Sequence, residues 1–95
     1  MSAPLGRRYA LTMLIEVLGL PDDNTAALEA ALGEALVRSG LSGVATVRRI
    51  EDPGAMIARG VRQPPALRVN GKVVCRQRVP AADEIRAYLA EAAGA

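Results

Sequence analysis

Asn70-Gly71 stands between two strand-like runs, Ala66–Val69 and Lys72–Arg76. An Asn-Gly pair favours the two-residue turn in which both central residues take positive φ, so these runs fold back as an antiparallel hairpin. The simple register pairs Val69 with Lys72, Arg68 with Val73, Leu67 with Val74 and Ala66 with Cys75. It puts Cys75 opposite the residue that follows Pro64-Pro65. A hairpin alone is marginal in water, so the rest of the chain has to supply strands beside it and helices across it.

The upstream sequence supplies them. Ala10 to Leu18 is short and almost continuously apolar, which fits a strand buried on both faces. Pro21-Asp22-Asp23-Asn24 is a turn and cap signal. From Thr25, apolar residues recur at helical spacing (Leu28, Ala31, Leu32, Ala35, Leu36), and Arg38 with Gly40 marks the helix end. Val44 to Ile50 reads as a second strand. Asp52-Pro53 starts a short helix that runs to about Arg59, where Gly60 stops it. A last helix begins near Pro80 and carries the stripe Ile85, Tyr88, Leu89 and Ala92. The expected order is βαβαββα. The expected boundaries are a flexible leader over 1–8, one domain over 9–92 and a tail over 93–95.

Two segments carry a family likeness. One is Ile15 to Thr25, a strand, a tight turn and a helix start. The other is Gly60 to Val74, a proline loop feeding the hairpin, continued by Val79-Pro80 and Asp83-Glu84. Together they resemble the small thioredoxin-like, glutaredoxin-related proteins of the redox-active-disulfide type. The likeness spans roughly Leu14 to Leu89. It implies an α/β fold of the thioredoxin-like kind, with a four-stranded mixed sheet and three helices. It also implies that a Cys-x-x-Cys would open the first helix and a cis-proline would face it. Here Asp22 and Thr25 stand at the cysteine positions, and Pro65 stands at the cis-proline position. Pro64 replaces the Thr or Ser common before that proline, which removes a hydroxyl and a backbone donor.

The chemistry left to such a chain is narrow. It has one cysteine and no histidine. An internal disulfide and a two-cysteine redox cycle are excluded. The usual metal ligand and the commonest general base are missing, and with them any Ser-His-Asp triad. Neither a metal nor another cofactor is expected. Asp22 can cap a helix, but it cannot exchange disulfides. Thr25 has no adjacent base to activate its hydroxyl. Asp22, Asp23, Asn24 and Thr25 therefore read first as a well-capped helix start, and second as polar groups shaping a binding surface. Cys75, the sole thiol, reads as a structural cysteine, with a single-thiol redox role as the alternative. Glu16, inside an apolar strand, calls for an arginine partner or a wet strand end.

Charge is uneven in one place. Arg59, Arg62, Arg68, Lys72, Arg76 and Arg78 are the six basic residues between 59 and 78, and no acidic residue lies among them. A basic hairpin of this kind suits an acidic partner, or discourages strand addition at a sheet edge. Nucleic acid is disfavoured: net charge is only +2, and the stretch has no aromatic residue for bases to stack on. Arg7-Arg8 precede an apolar run that Glu16 interrupts, and no apolar stretch reaches the length of a membrane span. The sequence thus predicts a cytoplasmic thioredoxin-like domain without its dithiol. It would serve as a non-catalytic binding or accessory module for a protein or peptide. The alternatives are a single-thiol redox protein acting through Cys75 and a basic module for an acidic partner. Oligomeric state is not written in the sequence.

Overall fold

The structure, a computed structural model, describes residues 12–94. The expected leader over 1–8, the first two residues of the expected opening strand and Ala95 lie outside them. The elements in chain order are β1 (Met13–Leu18), α1 (Asp23–Arg38), β2 (Ala45–Ile50), α2 (Pro53–Ala58), β3 (Ala66–Val69), β4 (Lys72–Arg76) and α3 (Ala82–Gly94). This is the βαβαββα order. The last helix continues to Gly94, beyond the domain end read from the sequence at 92.

The sheet order is β2-β1-β3-β4. β1 pairs parallel with β2 along its whole length, from Met13 opposite Ala45 to Leu18 opposite Ile50. It pairs antiparallel with β3, with Leu18 opposite Ala66. The α1 crossover makes the first pairing parallel, and the Asn70-Gly71 turn makes the hairpin antiparallel. Asn70 has φ 50° and Gly71 φ 84°, the positive values the turn requires. The Asn70 Oδ1 also accepts from the Leu14 amide at 2.9 Å, which ties the turn to the central strand.

Two apolar layers cover the sheet. On one face Met13, Ile15, Val17, Leu67, Val69 and Cys75 meet Leu28, Leu32, Ala35 and Leu36 of α1 and Ile85 and Leu89 of α3. On the other, Leu18 and Ala66 meet Met56 of α2 and Val61. A fully buried leucine contributes roughly 1.5–3 kcal/mol, so the larger α1–α3 layer dominates the core. The buried side chains of both layers are aliphatic or sulfur-bearing.

The hairpin departs from the simple register. Val69 faces Lys72 and Arg68 faces Val73, as the turn demands, but Leu67 faces Cys75 and Ala66 faces Arg76. The shift between Leu67 and Arg68 marks a bulge that accommodates one extra residue of β4. Packing explains it. Val73 lies against the α2 layer, whereas Val74 and Cys75 both lie against the α1–α3 layer. Strict alternation would have turned Cys75 towards α2.

Glu16 is the charged residue inside this frame, only 3 % exposed at the middle of β1. Its Oε1 accepts from Arg59 Nε at 3.1 Å and from the Arg68 guanidinium. Arg59 is the C-cap residue of α2, and Arg68 lies opposite Glu16 on β3. Burial pushes the carboxyl up. The hydrogen bonds and charges of the two arginines outweigh that, and hold it below the usual carboxylate value.

Glu16→Gln keeps the shape and removes the charge. It is expected to cost about 1–3 kcal/mol in urea unfolding at neutral pH. The folded carboxyl titrates below the unfolded one, so its contribution is present above the unfolded value and lost as pH falls through the folded one. The gap between the wild-type protein and the Glu16→Gln variant should therefore close in acid. A gap that does not change with pH would contradict this role for the charge.

Candidate functional site

Leu18 and Ile50 end their strands side by side, and Ala66 begins β3 opposite Leu18. Three connections therefore meet at one end of the sheet: Gly19–Asp22 leading into α1, Glu51–Asp52 leading into α2, and Pro64-Pro65 leading into β3. The Gly19 amide donates to the Ile50 carbonyl at 3.0 Å, and the Gln77 amide donates to the Pro65 carbonyl at 2.7 Å. These bonds close the end on both sides.

The first connection is built by a cap and a close approach. Asp22 is the N-cap of α1, and its Oδ1 accepts from the Thr25 amide at 2.9 Å. That amide, with the Asn24 amide and the Arg49 charge, holds the Asp22 carboxyl below its ordinary value. The helix begins at Asp23, two residues before the periodic pattern at Thr25, because the cap supplies what periodicity does not display. Asp22, Asp23 and Asn24 are exposed, while Thr25 is buried. Thr25 packs beneath Gly19: a Cβ on Gly19 would lie 2.2 Å from Thr25 Oγ1. Thr25 is therefore inside the fold, with no face to offer a ligand.

In the second part of the site, the Pro64–Pro65 peptide bond is cis. Pro64 is half-buried and Pro65 buried. The register brings this loop to the same sheet end as Asp22–Thr25, since Ala66 and Leu18 are partners.

Cys75 does not join them. The bulge sets it opposite Leu67, not opposite Ala66 beside the proline loop as the simple register has it. It is buried against the α1–α3 layer. Its Sγ lies 3.8 Å from the Arg78 carbonyl oxygen, a contact in which the thiol donates. Burial pushes the thiol above its ordinary value; the Arg78 charge and the Arg76 amide pull it down, and Glu84 pushes it up again. Arg78 is itself held by Glu84, with Nη1 to Oε1 at 3.0 Å, and Tyr88 donates its hydroxyl to Glu84 Oε2 at 2.7 Å. The Arg78 guanidinium and the Tyr88 hydroxyl push the Glu84 carboxyl down to about 2.

The basic stretch is divided by the fold. Arg59 and Arg68 serve Glu16, and Arg78 serves Glu84. Lys72 is exposed at the hairpin turn, at the far end of β4. Arg62 and Arg76 line one cleft with Gly60, Gln63 and Gln77 beside the proline loop. Sequence reasoning identified the positive run, but it did not separate the structural arginines from this pair. The separation requires the sheet register. Among the described residues, no cluster of three or more His, Cys, Asp or Glu side chains is arranged to hold a metal. No helix among them is long and apolar enough to cross a membrane.

Residues 13–90 match the family described as thioredoxin domain. The chain belongs to that family. A search of curated proteins finds no match. The thioredoxin domain here has a four-stranded mixed sheet and three helices, and with a single cysteine it has no dithiol.

Gly19→Ala would force Thr25 or the turn to move, and is expected to cost about 1–3 kcal/mol on thermal unfolding. Full retention of stability would show that the turn yields freely. Cys75 should react with a maleimide far more slowly in the folded protein than after denaturation. Equal rates would place the thiol at the surface.

Proposed function

We propose that this thioredoxin domain is a non-catalytic binding or accessory module for a protein or peptide, working at the sheet end where the Asp22–Thr25 turn and the Pro64-Pro65 loop meet. The observation that carries the reading is a separation. The Asp22–Thr25 turn and the Pro64-Pro65 loop converge at one end of the sheet, while the only thiol is buried in the aliphatic layer under α1 and α3. Disulfide exchange needs an accessible thiolate, and burial of Cys75 works against both access and ionisation. The single-thiol alternative is weaker on that ground. A reduced, buried cysteine also suits a cytoplasmic setting.

The surface has a defined chemistry. Asp22 and Asp23 present carboxylates at the mouth of α1. The proline loop has no amide hydrogen at either proline, and its Pro65 carbonyl is already taken by Gln77. A partner is thus held here by side chains around the loop, with little help from the loop backbone.

Two experiments decide. Insulin-disulfide reduction by the protein should stay at the background rate, and Cys75→Ser should leave that rate unchanged. Turnover that disappears in Cys75→Ser would overturn the non-catalytic reading in favour of the single-thiol one. Partner contact should appear in amide NMR spectra as shifts confined to the amides of residues 19–25, 60–66 and 76–77. A partner whose shifts fall on α1 and α3 instead would move the binding surface elsewhere.

A further inference from the structure

The cleft beside the proline loop is lined by charge of one sign. Its volume is about 370 Å³, and Gly60, Arg62, Gln63, Arg76 and Gln77 line it. None of the five is acidic. All of them are exposed. Among the described residues, Arg62 and Arg76 take part in no ion pair, whereas Arg59, Arg68 and Arg78 on the same stretch each have a carboxylate. Two guanidiniums brought to one cleft without a counter-charge repel each other, and a carboxylate between them relieves that repulsion.

The backbone around the cleft is held in place. Gly60 has φ 82° after the end of α2, and Gln77 has φ 62° after the end of β4. A glutamine in the left-handed region costs energy that a glycine would avoid. Its amide is fixed by the Pro65 carbonyl at 2.7 Å, so the cleft and the proline loop form one continuous surface. Two carboxamides complete the lining. Each supplies a donor and an acceptor, which is what a peptide backbone needs.

We propose that Arg62 and Arg76 form a carboxylate-binding cleft that receives an acidic side chain of an extended peptide segment, with Gln63 and Gln77 bonding the peptide units beside it. The proposal rests on the binding-module reading above and adds the charge of the partner to it. The lining favours peptide over nucleic acid, because no aromatic ring is available for base stacking. Arg68 and Arg78, which the sequence alone would have included, are excluded because Glu16 and Glu84 already occupy them.

The test is an amide NMR titration of the full chain with a capped hexapeptide, Ala-Ala-Glu-Glu-Ala-Ala, and with its glutamine twin. The acidic peptide should shift the amides of residues 60–63 and 76–77 saturably, and bind about tenfold more tightly than the twin. Raising salt from about 50 to about 300 mM should weaken it. Arg62→Gln with Arg76→Gln should abolish the preference, and Gln77→Gly, which keeps the left-handed turn, should weaken both peptides alike. Equal binding of the two peptides at these amides would overturn the carboxylate cleft while leaving the binding-module reading intact. Shifts centred on Lys72 or Arg48, or no saturable shift, would overturn the cleft outright. Tighter binding of a thymidine hexanucleotide at the same amides would overturn the choice of a peptide.

Discussion

One buried carboxylate joins the halves of this fold. Glu16 lies in the central strand, yet its two partners come from the end of α2 and from β3. Without them a charge at that depth would be expensive. With them the βαβ half and the hairpin half are fastened at the middle of the sheet, on the face that has the thinner apolar layer. The larger layer under α1 and α3 is held mainly by burial, with ion pairs such as Arg38–Asp83 and Arg49–Glu29 at its exposed rim. The α2 face, with few apolar contacts, relies on this polar clamp to fix where α2 and the proline loop lie.

That division explains what the sequence could and could not disclose. Local chemistry was legible. Asn70-Gly71 named the hairpin turn, Asp52-Pro53 named the start of α2, and the apolar run ending at Leu18 named the central strand. The family likeness, carried by the Ile15–Thr25 and Gly60–Val74 segments, named the topology that joins them. Long-range chemistry was not legible. Arg59 lies 43 residues from Glu16 and Arg68 lies 52, so an arginine partner could be expected but not chosen among the candidates. The six basic residues looked like one patch until the register assigned half of them to structural carboxylates.

The bulge in β4 is the other feature that local pattern concealed. Val73, Val74 and Cys75 are three apolar residues in a row, and alternation allots them to faces without regard to which layer has room. The packing under α1 and α3 accepts two of them consecutively, so the ladder shifts by one. The candidate site moved with it. The thiol turned into the core, and Arg76, the next residue, came to lie opposite Ala66 at the edge of the proline loop. One local irregularity thus took the sole thiol away from the site and left a cation at its edge.

The helix caps give the sheet end a direction. In α/β folds the open end above parallel strands usually offers positive helix termini to a ligand. Here Asp22 and Asp52 fill both termini with the chain's own carboxylates. Negative charge consequently collects above β1 and β2, while Arg62 and Arg76 put positive charge above β3 and β4. The end of the sheet is a short electrical gradient running across the strands, and an extended chain laid along it would meet opposite charges at its two ends. Such a surface distinguishes a segment from its reverse, so orientation would be selected before any close fit is made.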